Sequence, residues 1–267
     1  MKQKRSYPIL VLFLAAFALS FTACKNREGS GGKGKPDGNA SSQVPAEIAK
    51  KYREDAHRLA VREFNTTTRN DQPQTEIPQD RVNFFYDLLT KIYLMSEKDP
   101  AIPSIKGIHT FGNPPLQEVI VFLEKDADFA ENWIKGQRMT SNLYLNQVMS
   151  ENSLRVKDFK ESGMGTWGVV QTPKYVNTKD LAFILSRIDG IKSAEPNSMA
   201  GDGNNIEWGS EGKNHMALKF SKGEGDCPSG CINRKYWIFY VQEGNINYMG
   251  TRGELPNGEE EGREEEV

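Results

Sequence analysis

Two cysteines separated by three residues are the part of this sequence that most resembles a chemical site. Cys227 and Cys231 lie in the stretch GDCPSGCINRKYWIFYV. A zinc site is usually completed by about four nitrogen or sulfur ligands. A thioredoxin-type redox site has two residues between its cysteines and begins a helix after a strand. Because the sequence supplies neither pattern here, a metal site and a redox catalyst are both disfavoured.

The residues between the cysteines favour a disulfide-braced turn instead. A three-residue hairpin loop commonly combines a type I turn with a left-handed residue. Pro228 suits the first loop position because its φ is fixed, and Gly230 suits the left-handed position. Such a loop would place Cys227 opposite Cys231, and closing that ring would contribute about 2 kcal/mol by chain entropy. We predict a disulfide in an oxidising compartment.

Four scattered side chains are the other candidates for catalysis, namely His109, Asp202, His215 and Asp226. They would make a metal-dependent, hydrolase-like site only if the fold brought them together in one pocket. Asp202, Asn204 and Asn205 in EPNSMAGDGNNIEW also offer oxygen ligands to calcium. The distal glutamate of a calcium loop is absent, which favours a polar turn. The sequence therefore predicts no catalytic residue, no metal and no cofactor, and the enzyme stays the alternative hypothesis.

The N-terminus has the pattern of an export signal. Lys2, Lys4 and Arg5 form a basic region, and the apolar run 9–21 follows it. A bilayer-spanning helix needs about 20 apolar residues, so a permanent membrane anchor is the weaker interpretation of this run. We predict a signal peptide over residues 1–23.

The residue after the predicted cleavage point is Cys24, in a stretch LSFTAC that resembles a bacterial lipobox. In that motif the cysteine is lipidated. Residues 24–44 are rich in Gly, Ser and Lys, a composition typical of a flexible tether. We predict lipid attachment at Cys24, with ordinary secretion and a free thiol as the alternative.

The charge balance argues against nucleic acid as a partner. Three of the 34 basic residues lie in the predicted signal, which leaves 31 against 36 acidic residues and a net charge of −5. Such a chain has no basic footprint for phosphates. Residues 251–267 form an acidic segment that repels itself, so we predict a disordered tail in preference to a calcium- or partner-binding one.

The remaining chain predicts an α+β protein. A helical segment over residues 45–95 contains two amphipathic helices that pair as a hairpin or cover a sheet. Within a domain at residues 105–250, the part from 118 to 196 has the order β-α-β-β-α-β. That order predicts a ferredoxin-like, split βαβ sheet. The alternating strands of 214–250 predict a C-terminal antiparallel meander that extends this sheet.

Aromatic residues near the C-terminus raise the question of a binding surface. Trp208 is predicted to be exposed, and the strand YWIFYV places Tyr236, Ile238 and Tyr240 on one face. If that face is outward, it presents an apolar strip that requires a partner. The alternative is that the N-terminal helices bury it.

Three segments resemble an uncharacterised group of exported bacterial proteins and lipoproteins. They are 105–124 (IKGIHTFGNPPLQEVIVFLE), 195–208 (EPNSMAGDGNNIEW) and 225–241 (GDCPSGCINRKYWIFYV). The resemblance covers about residues 80–250 and implies export and a shared domain, without an activity. Together with Cys24, it predicts a protein of the cell envelope, lipid-anchored to a bacterial membrane and facing outside the cytoplasm. Its partners would be that membrane and an envelope protein. An accessory or inhibitor-like domain is a third hypothesis.

Overall fold

The computed structural model describes residues 43–67, 72–137, 139–162, 165–210 and 215–255. The helices are α1 (Ala46–Thr67), α2 (Gln79–Lys98), α3 (Ala130–Ile134), α4 (Leu143–Glu151) and α5 (Thr178–Leu185). The strands are β1 (Glu118–Leu123), β2 (Arg155–Ser162), β3 (Gly165–Gln171), β4 (Ile191–Pro196), β5 (Asn205–Ser210), β6 (His215–Glu224), β7 (Asn233–Gln242) and β8 (Asn245–Arg252). The predicted signal peptide, Cys24 and residues 256–267 of the predicted tail lie outside the described residues.

Helices α1 and α2 form where the apolar residues recur at helical spacing. The α2 stripe is fully buried and consists of Val82, Phe85, Leu89 and Ile92. Asp80 lies inside the first turn of α2, and Pro78 holds the N-cap position. A carboxylate in the first turn still stabilises the helix because it faces the positive end of the dipole.

The first sheet contains four strands in the order β2-β3-β1-β4, and every neighbouring pair is antiparallel. Helices α3 and α4 lie between β1 and β2 in the chain, and α5 lies between β3 and β4. Strand β1 is a continuous apolar run, a pattern that is typical of burial on both faces. In the structure Val119, Val121 and Leu123 are buried, and Ile120 and Phe122 are only half-buried. One face of the sheet therefore carries the main core.

That first core is apolar. It joins β1 and β3 to all three following helices, through a set of buried side chains that includes Val119, Val121, Trp133, Leu145, Val148, Val170, Leu181 and Leu185. Its largest member, Trp133, packs edge-on against Phe159 of β2 at 6.3 Å between ring centroids. Because the helices that cover this sheet come from the connections between its own strands, its core is built from nearby parts of the chain.

The second sheet is a meander with the order β5-β6-β7-β8, again antiparallel throughout. The meander was predicted to extend the first sheet, but it forms a separate sheet of its own. The physical reason is that its apolar inner face is covered by α1 and α2, which gives it an independent core. Residues 205–210, predicted to belong to a polar turn or its flank, form its first strand, β5.

Strand β7 answers the question about the aromatic residues. Trp237, Phe239 and Val241 are buried against the two N-terminal helices. Tyr236 and Tyr240 lie on the opposite face and are half-buried. The helices therefore cover one face of the strand and leave the other face partly exposed.

Trp208 was predicted to be exposed, and that prediction is wrong. It is half-buried and packs against Phe85 of α2, with the ring centroids 6.3 Å apart. It therefore belongs to the interface between β5 and α2.

The turns on either side of β7 differ in length. The β7–β8 turn consists of Glu243 and Gly244, both with positive φ, because Gln242 pairs with Asn245. The β6–β7 pairing ends at Glu224 and Asn233, so the connecting loop spans residues 225–232. The predicted three-residue hairpin between the cysteines is wrong, and both cysteines lie inside this longer loop.

Candidate functional site

The three segments 105–124, 195–208 and 225–241 meet at one end of the second sheet. The Phe111 N–H donates to the Asn205 side-chain oxygen at 2.9 Å. The Asn113 amide group donates to the Met199 carbonyl at 2.7 Å and accepts from the Met199 N–H at 3.0 Å. The Asp202 N–H donates to the Cys227 carbonyl at 2.8 Å. We call this region, comprising residues 109–113, 199–205 and 225–234, the motif junction.

Arg62 of α1 holds two of these segments together. Its guanidinium donates to the Phe111 carbonyl at 3.1 Å and, from Nε, to the Asn113 carbonyl at 3.0 Å. Nη1 of the same guanidinium donates to Asn205 Oδ1 at 3.2 Å and to the Ile206 carbonyl at 2.8 Å. Burial lowers the pKa of Arg62. The planar fork of five donors explains why an arginine, and not a lysine, suits this position.

Asp202 and Arg234 join the second segment to the third. Asp202 Oδ2 lies 2.5 Å from Arg234 Nη2, and the same oxygen accepts from the Cys231 N–H at 3.3 Å. Asp202 Oδ1 accepts from the Gly203 N–H at 2.7 Å. The hydrogen bond from Arg234 is the largest of several interactions that together lower the pKa of Asp202. Arg234 also donates to Ser221 Oγ at 2.7 Å. These contacts make Asp202 a bracing residue.

The cysteine pair is closed as a disulfide between Cys227 and Cys231. The Gly230 N–H donates to the Cys227 carbonyl at 3.2 Å, so the bond spans a turn within the loop. Gly223 at the end of β6 lies directly against the bridge, and a Cβ there would collide with Cys231 Sγ. The disulfide therefore packs against the strand that enters the loop.

The first segment is also fixed to α1 by a buried carboxylate that the sequence did not single out. Asp55 is 1% exposed. Its Oδ2 lies 2.7 Å from His109 Nδ1, and its Oδ1 accepts from the Thr110 N–H at 2.9 Å and from Thr110 Oγ1 at 2.7 Å. The Tyr52 ring lies 5.6 Å from the His109 ring, and its buried hydroxyl has no hydrogen-bond partner among the residues that the structure describes. Burial raises the pKa of that hydroxyl.

The pattern of α1 contains a signal for both charged residues. Tyr52, Asp55, Leu59 and Arg62 recur at steps of three and four, so the two charges lie on the buried stripe of the helix. A charged residue inside an apolar stripe requires a partner when it is buried. The sequence does not show where on the chain those partners lie.

The four candidate catalytic residues are not all brought into one site, because His109, Asp202 and Asp226 belong to the motif junction and His215 lies at the other end of β6. His109 contacts Asp55, and Asp202 contacts Arg234. His215 begins β6 and packs against Tyr240 at 5.6 Å between ring centroids, whereas Asp226 lies two residues beyond Glu224, the last residue of that strand. At about 3.3 Å per residue, the strand from His215 to Glu224 is roughly 30 Å long, so His215 and Asp226 lie near its opposite ends.

The oxygen atoms proposed for calcium are occupied by protein donors. Asn204 Oδ1 accepts from the Gly223 N–H at 3.2 Å, and Asn205 Oδ1 accepts from Phe111, Ile206 and Arg62. Among the residues that the structure describes, no group of three or more His, Cys, Asp or Glu side chains is placed to hold a metal ion.

The solvent side of the motif junction is apolar in two places. Met199 is 60% exposed and Ile232 is 73% exposed. The backbone around them is fixed by the Asn113 contacts and by the disulfide loop. Large apolar side chains held outward on braced loops are typical of recognition surfaces.

Comparisons with protein-family models, with curated proteins and with solved structures found no match for this chain. None of the described helices is both long and apolar enough to cross a bilayer.

Proposed function

We propose that this protein is a lipid-anchored binding module of the bacterial cell envelope, held to the membrane through Cys24 and facing outside the cytoplasm. The anchor is supported by the N-terminal sequence, in which a basic region and an apolar run precede LSFTAC. The binding role is supported by the motif junction. The partner is an envelope protein, and binding is non-catalytic.

The single observation that carries the binding role is how the motif junction uses its polar groups. Arg62, Asp202 and Asn205 direct their side chains to other parts of the fold. Two large apolar side chains of the junction, Met199 and Ile232, face solvent beside the exposed Asp226 and Ser229. A catalytic centre keeps reactive polar groups facing its substrate, whereas a recognition loop is braced from behind and presents contact surface. The junction matches the second description.

The first sheet supports a finer proposal about the fold. We propose that it follows the ferredoxin-like, split βαβ plan, because the strand order β2-β3-β1-β4 with antiparallel neighbours is the order this plan requires. The positions of α3, α4 and α5 in the chain agree with it. We also propose that the three segments of the motif junction mark membership of the group of exported proteins that they resemble.

The binding role is tested by affinity capture from envelope extract with the lipidated full chain as bait. We expect a captured protein whose yield falls by about tenfold or more when Met199→Asp and Ile232→Asp are combined, since apolar contacts at the centre of an interface dominate affinity. Met249→Asp is the matched control, because Met249 is 63% exposed on β8. Equal capture by the double variant would contradict this use of the motif junction.

The anchor is tested separately by replacing Cys24 with Ser in the full chain. Removing the acyl attachment point should move the protein from the membrane fraction to the soluble fraction. Metabolic labelling of the protein with a fatty acid should also be lost. Labelling that survives the change would show that Cys24 is not the attachment site.

A further inference from the structure

We propose that a cavity beside α4 binds a small molecule that has an apolar body and one carboxylate group. The cavity has a volume of about 450 Å³, and it lies between α4, the segment before α4, the start of β2 and the loop after β3. We call it the α4 cavity. Sites of this size are typical of small ligands, and they combine apolar walls with a few polar groups. The α4 cavity shares no residue with the motif junction, so this proposal goes beyond the proposed binding of an envelope protein.

The walls of the α4 cavity are mainly apolar. Met149 of α4 and Leu154, which precedes β2, are buried members of the first core and form the inner wall. Met139 and Pro173 line two further sides, and Met139 is 70% exposed. Methionine side chains are flexible and polarizable, so they adapt to the shape of an apolar ligand. The cavity therefore offers apolar contacts from several separate segments of the chain.

Hydrogen bonds hold these segments in place around the cavity. Asn146 of α4 accepts from the Thr140 N–H at 2.9 Å and donates to the Thr140 carbonyl at 2.8 Å, which fixes the segment that contains Met139. Thr172 Oγ1 donates to the Asn152 carbonyl at 2.8 Å, which joins the loop after β3 to the end of α4. Because the walls are already braced, a ligand needs to order little of the protein when it binds.

Arg155 supplies the polar group that selects the ligand. Among the described residues that line the α4 cavity, it alone is charged. Its Nη2 donates to Gln171 Oε1 at 3.3 Å, and a guanidinium has five N–H donors in all. Its planar arrangement of donors matches the two oxygen atoms of a carboxylate. The Ser150 and Ser153 hydroxyls line the same cavity and can donate to an anion as well.

The charges next to the cavity agree with an anionic ligand. Within the described part of the chain, Glu151 and Lys174 are the charged residues that directly adjoin lining residues in the sequence, and both are exposed. The Glu151 carboxylate accepts from Gln147, which is outside the lining, at 2.7 Å. Arg155 and Lys174 against Glu151 leave a net charge of one positive. An anion with an apolar body therefore fits better than a neutral or cationic molecule.

The volume of the cavity sets the size of the ligand. A water-sized group occupies roughly 30 Å³, so a cavity of about 450 Å³ holds roughly 15 such groups. Decanoate, a linear chain with one carboxylate, fits within this limit. Acetate has the same charge without the apolar body, and decanol has the same body without the charge. These three compounds separate the two features of the proposed ligand.

Titration of decanoate into the full chain carrying Cys24→Ser tests the site. This change removes the proposed lipid attachment point, so no bilayer or detergent competes for the probe. Nuclear magnetic resonance of isotope-labelled methionine methyl groups reports on Met149 in the cavity wall and on Met249, which is 63% exposed on β8. We expect a saturable shift at Met149 and none at Met249. Acetate and decanol should each bind at least about fivefold more weakly than decanoate.

Variants of the charged residue give a matched comparison. Arg155→Gln should weaken decanoate binding by about fivefold and leave decanol binding unchanged, because only the charged group of the ligand loses its partner. Arg187→Gln is the control, since Arg187 is also exposed and lies outside the lining of the cavity.

Variants of α4 test the cavity itself. Ser150→Trp should abolish the saturable shift at Met149, because the indole would fill the space that Ser150 borders. Gln147→Trp on the same helix should leave binding unchanged, since Gln147 is exposed and does not line the cavity.

Two results would overturn the proposal. Equal binding of decanol and decanoate, or decanoate binding that Arg155→Gln does not weaken, would show that no carboxylate is recognised. A Met149 shift that does not saturate, or that Met249 shares, would show non-specific apolar association. Neither result bears on the lipid anchor or on the motif junction, which are tested by separate variants.

Discussion

The two sheets of this protein obtain their cores in different ways. The first sheet is covered by α3, α4 and α5, which connect its own strands. The second sheet is covered by α1 and α2, which precede it by more than a hundred residues. A sheet covered by a distant part of the chain needs contacts that fix how the two meet. Arg62 supplies such contacts to β5, and Asp55 fixes the neighbouring segment at Thr110, both from the buried side of α1.

The stability of the first core therefore depends on apolar packing, and the stability of the second depends on apolar packing together with a few buried charges. Apolar packing tolerates exchange of one apolar residue for another of similar volume. Buried charged groups do not tolerate loss of one partner, because the other is left without compensation. Four variants separate these two kinds of dependence, from the largest expected effect to the smallest.

Arg62→Met should destabilise the protein most, by about 4 kcal/mol, because four backbone or side-chain acceptors lose their buried donor. Urea unfolding measured by circular dichroism gives the change. Arg155→Ala is the control, since the Arg155 side chain is exposed and donates to Gln171 at 3.3 Å. Similar losses of unfolding free energy in the two variants would show that the contacts of Arg62 contribute no more to stability than an exposed hydrogen bond.

Leu181→Ala should cost about 3 kcal/mol, because it opens a cavity in the apolar core beneath the first sheet. Phe183 lies two residues further along α5 and is 44% exposed, so Phe183→Ala should cost less than about 0.5 kcal/mol. The same unfolding experiment measures both. A loss at Phe183 as large as the loss at Leu181 would place the buried face of α5 elsewhere.

Replacing Cys227 and Cys231 together by Ser should cost about 2 kcal/mol, because the bridge closes a short loop in the unfolded chain. Unfolding of the wild-type protein in reductant should reproduce the value for the double variant. Ser229→Ala in the same loop should leave stability nearly unchanged. A double variant as stable as the oxidised wild type would mean that the loop is held by Asp202 and Arg234 alone.

Asp202→Asn should give the smallest effect, and it should depend on pH. The pKa of Asp202 in the folded protein lies below its ordinary value of 3.8, mainly because of Arg234. Ionised Asp202 therefore stabilises the fold above that ordinary value, and its contribution is lost as the pH falls through the folded-state pKa. We expect the variant to be less stable than wild type at pH 7, with the difference shrinking in acid. A constant difference from pH 7 to pH 3 would contradict this linkage.

The helices were predictable because their signal is local. The stripe Val82, Phe85, Leu89 and Ile92 can be read from spacing alone, and α2 buries all four. The alternation of Met216, Leu218 and Phe220 likewise predicted one face of β6, and Leu218 and Phe220 are fully buried. The spacing of apolar residues predicts which face of a helix or strand is buried, and the buried faces of α2 and β6 follow from it.

The candidate site was less predictable because its contacts join distant residues. Asp55 meets Thr110 and Arg62 meets Asn205, pairs that are 55 and 143 positions apart. The cysteine loop illustrates a second reason. Pro228, Ser229 and Gly230 fit a tight hairpin locally, but the strands end earlier because Glu224 pairs with Asn233. Local turn preference cannot state how far the flanking strands remain paired.

Gly223 gives a practical means of recognising relatives of this protein. Its missing side chain leaves room for Cys231 and for Arg234, and a Cβ would come within 3.1 Å of Arg234 Nη2 as well as colliding with the bridge. A sequence that places any larger residue there must have lost the disulfide or repositioned the arginine that braces Asp202. A glycine four positions before the first cysteine and an arginine three positions after the second are therefore a search pattern for this arrangement, one that remains usable after the rest of the chain has diverged.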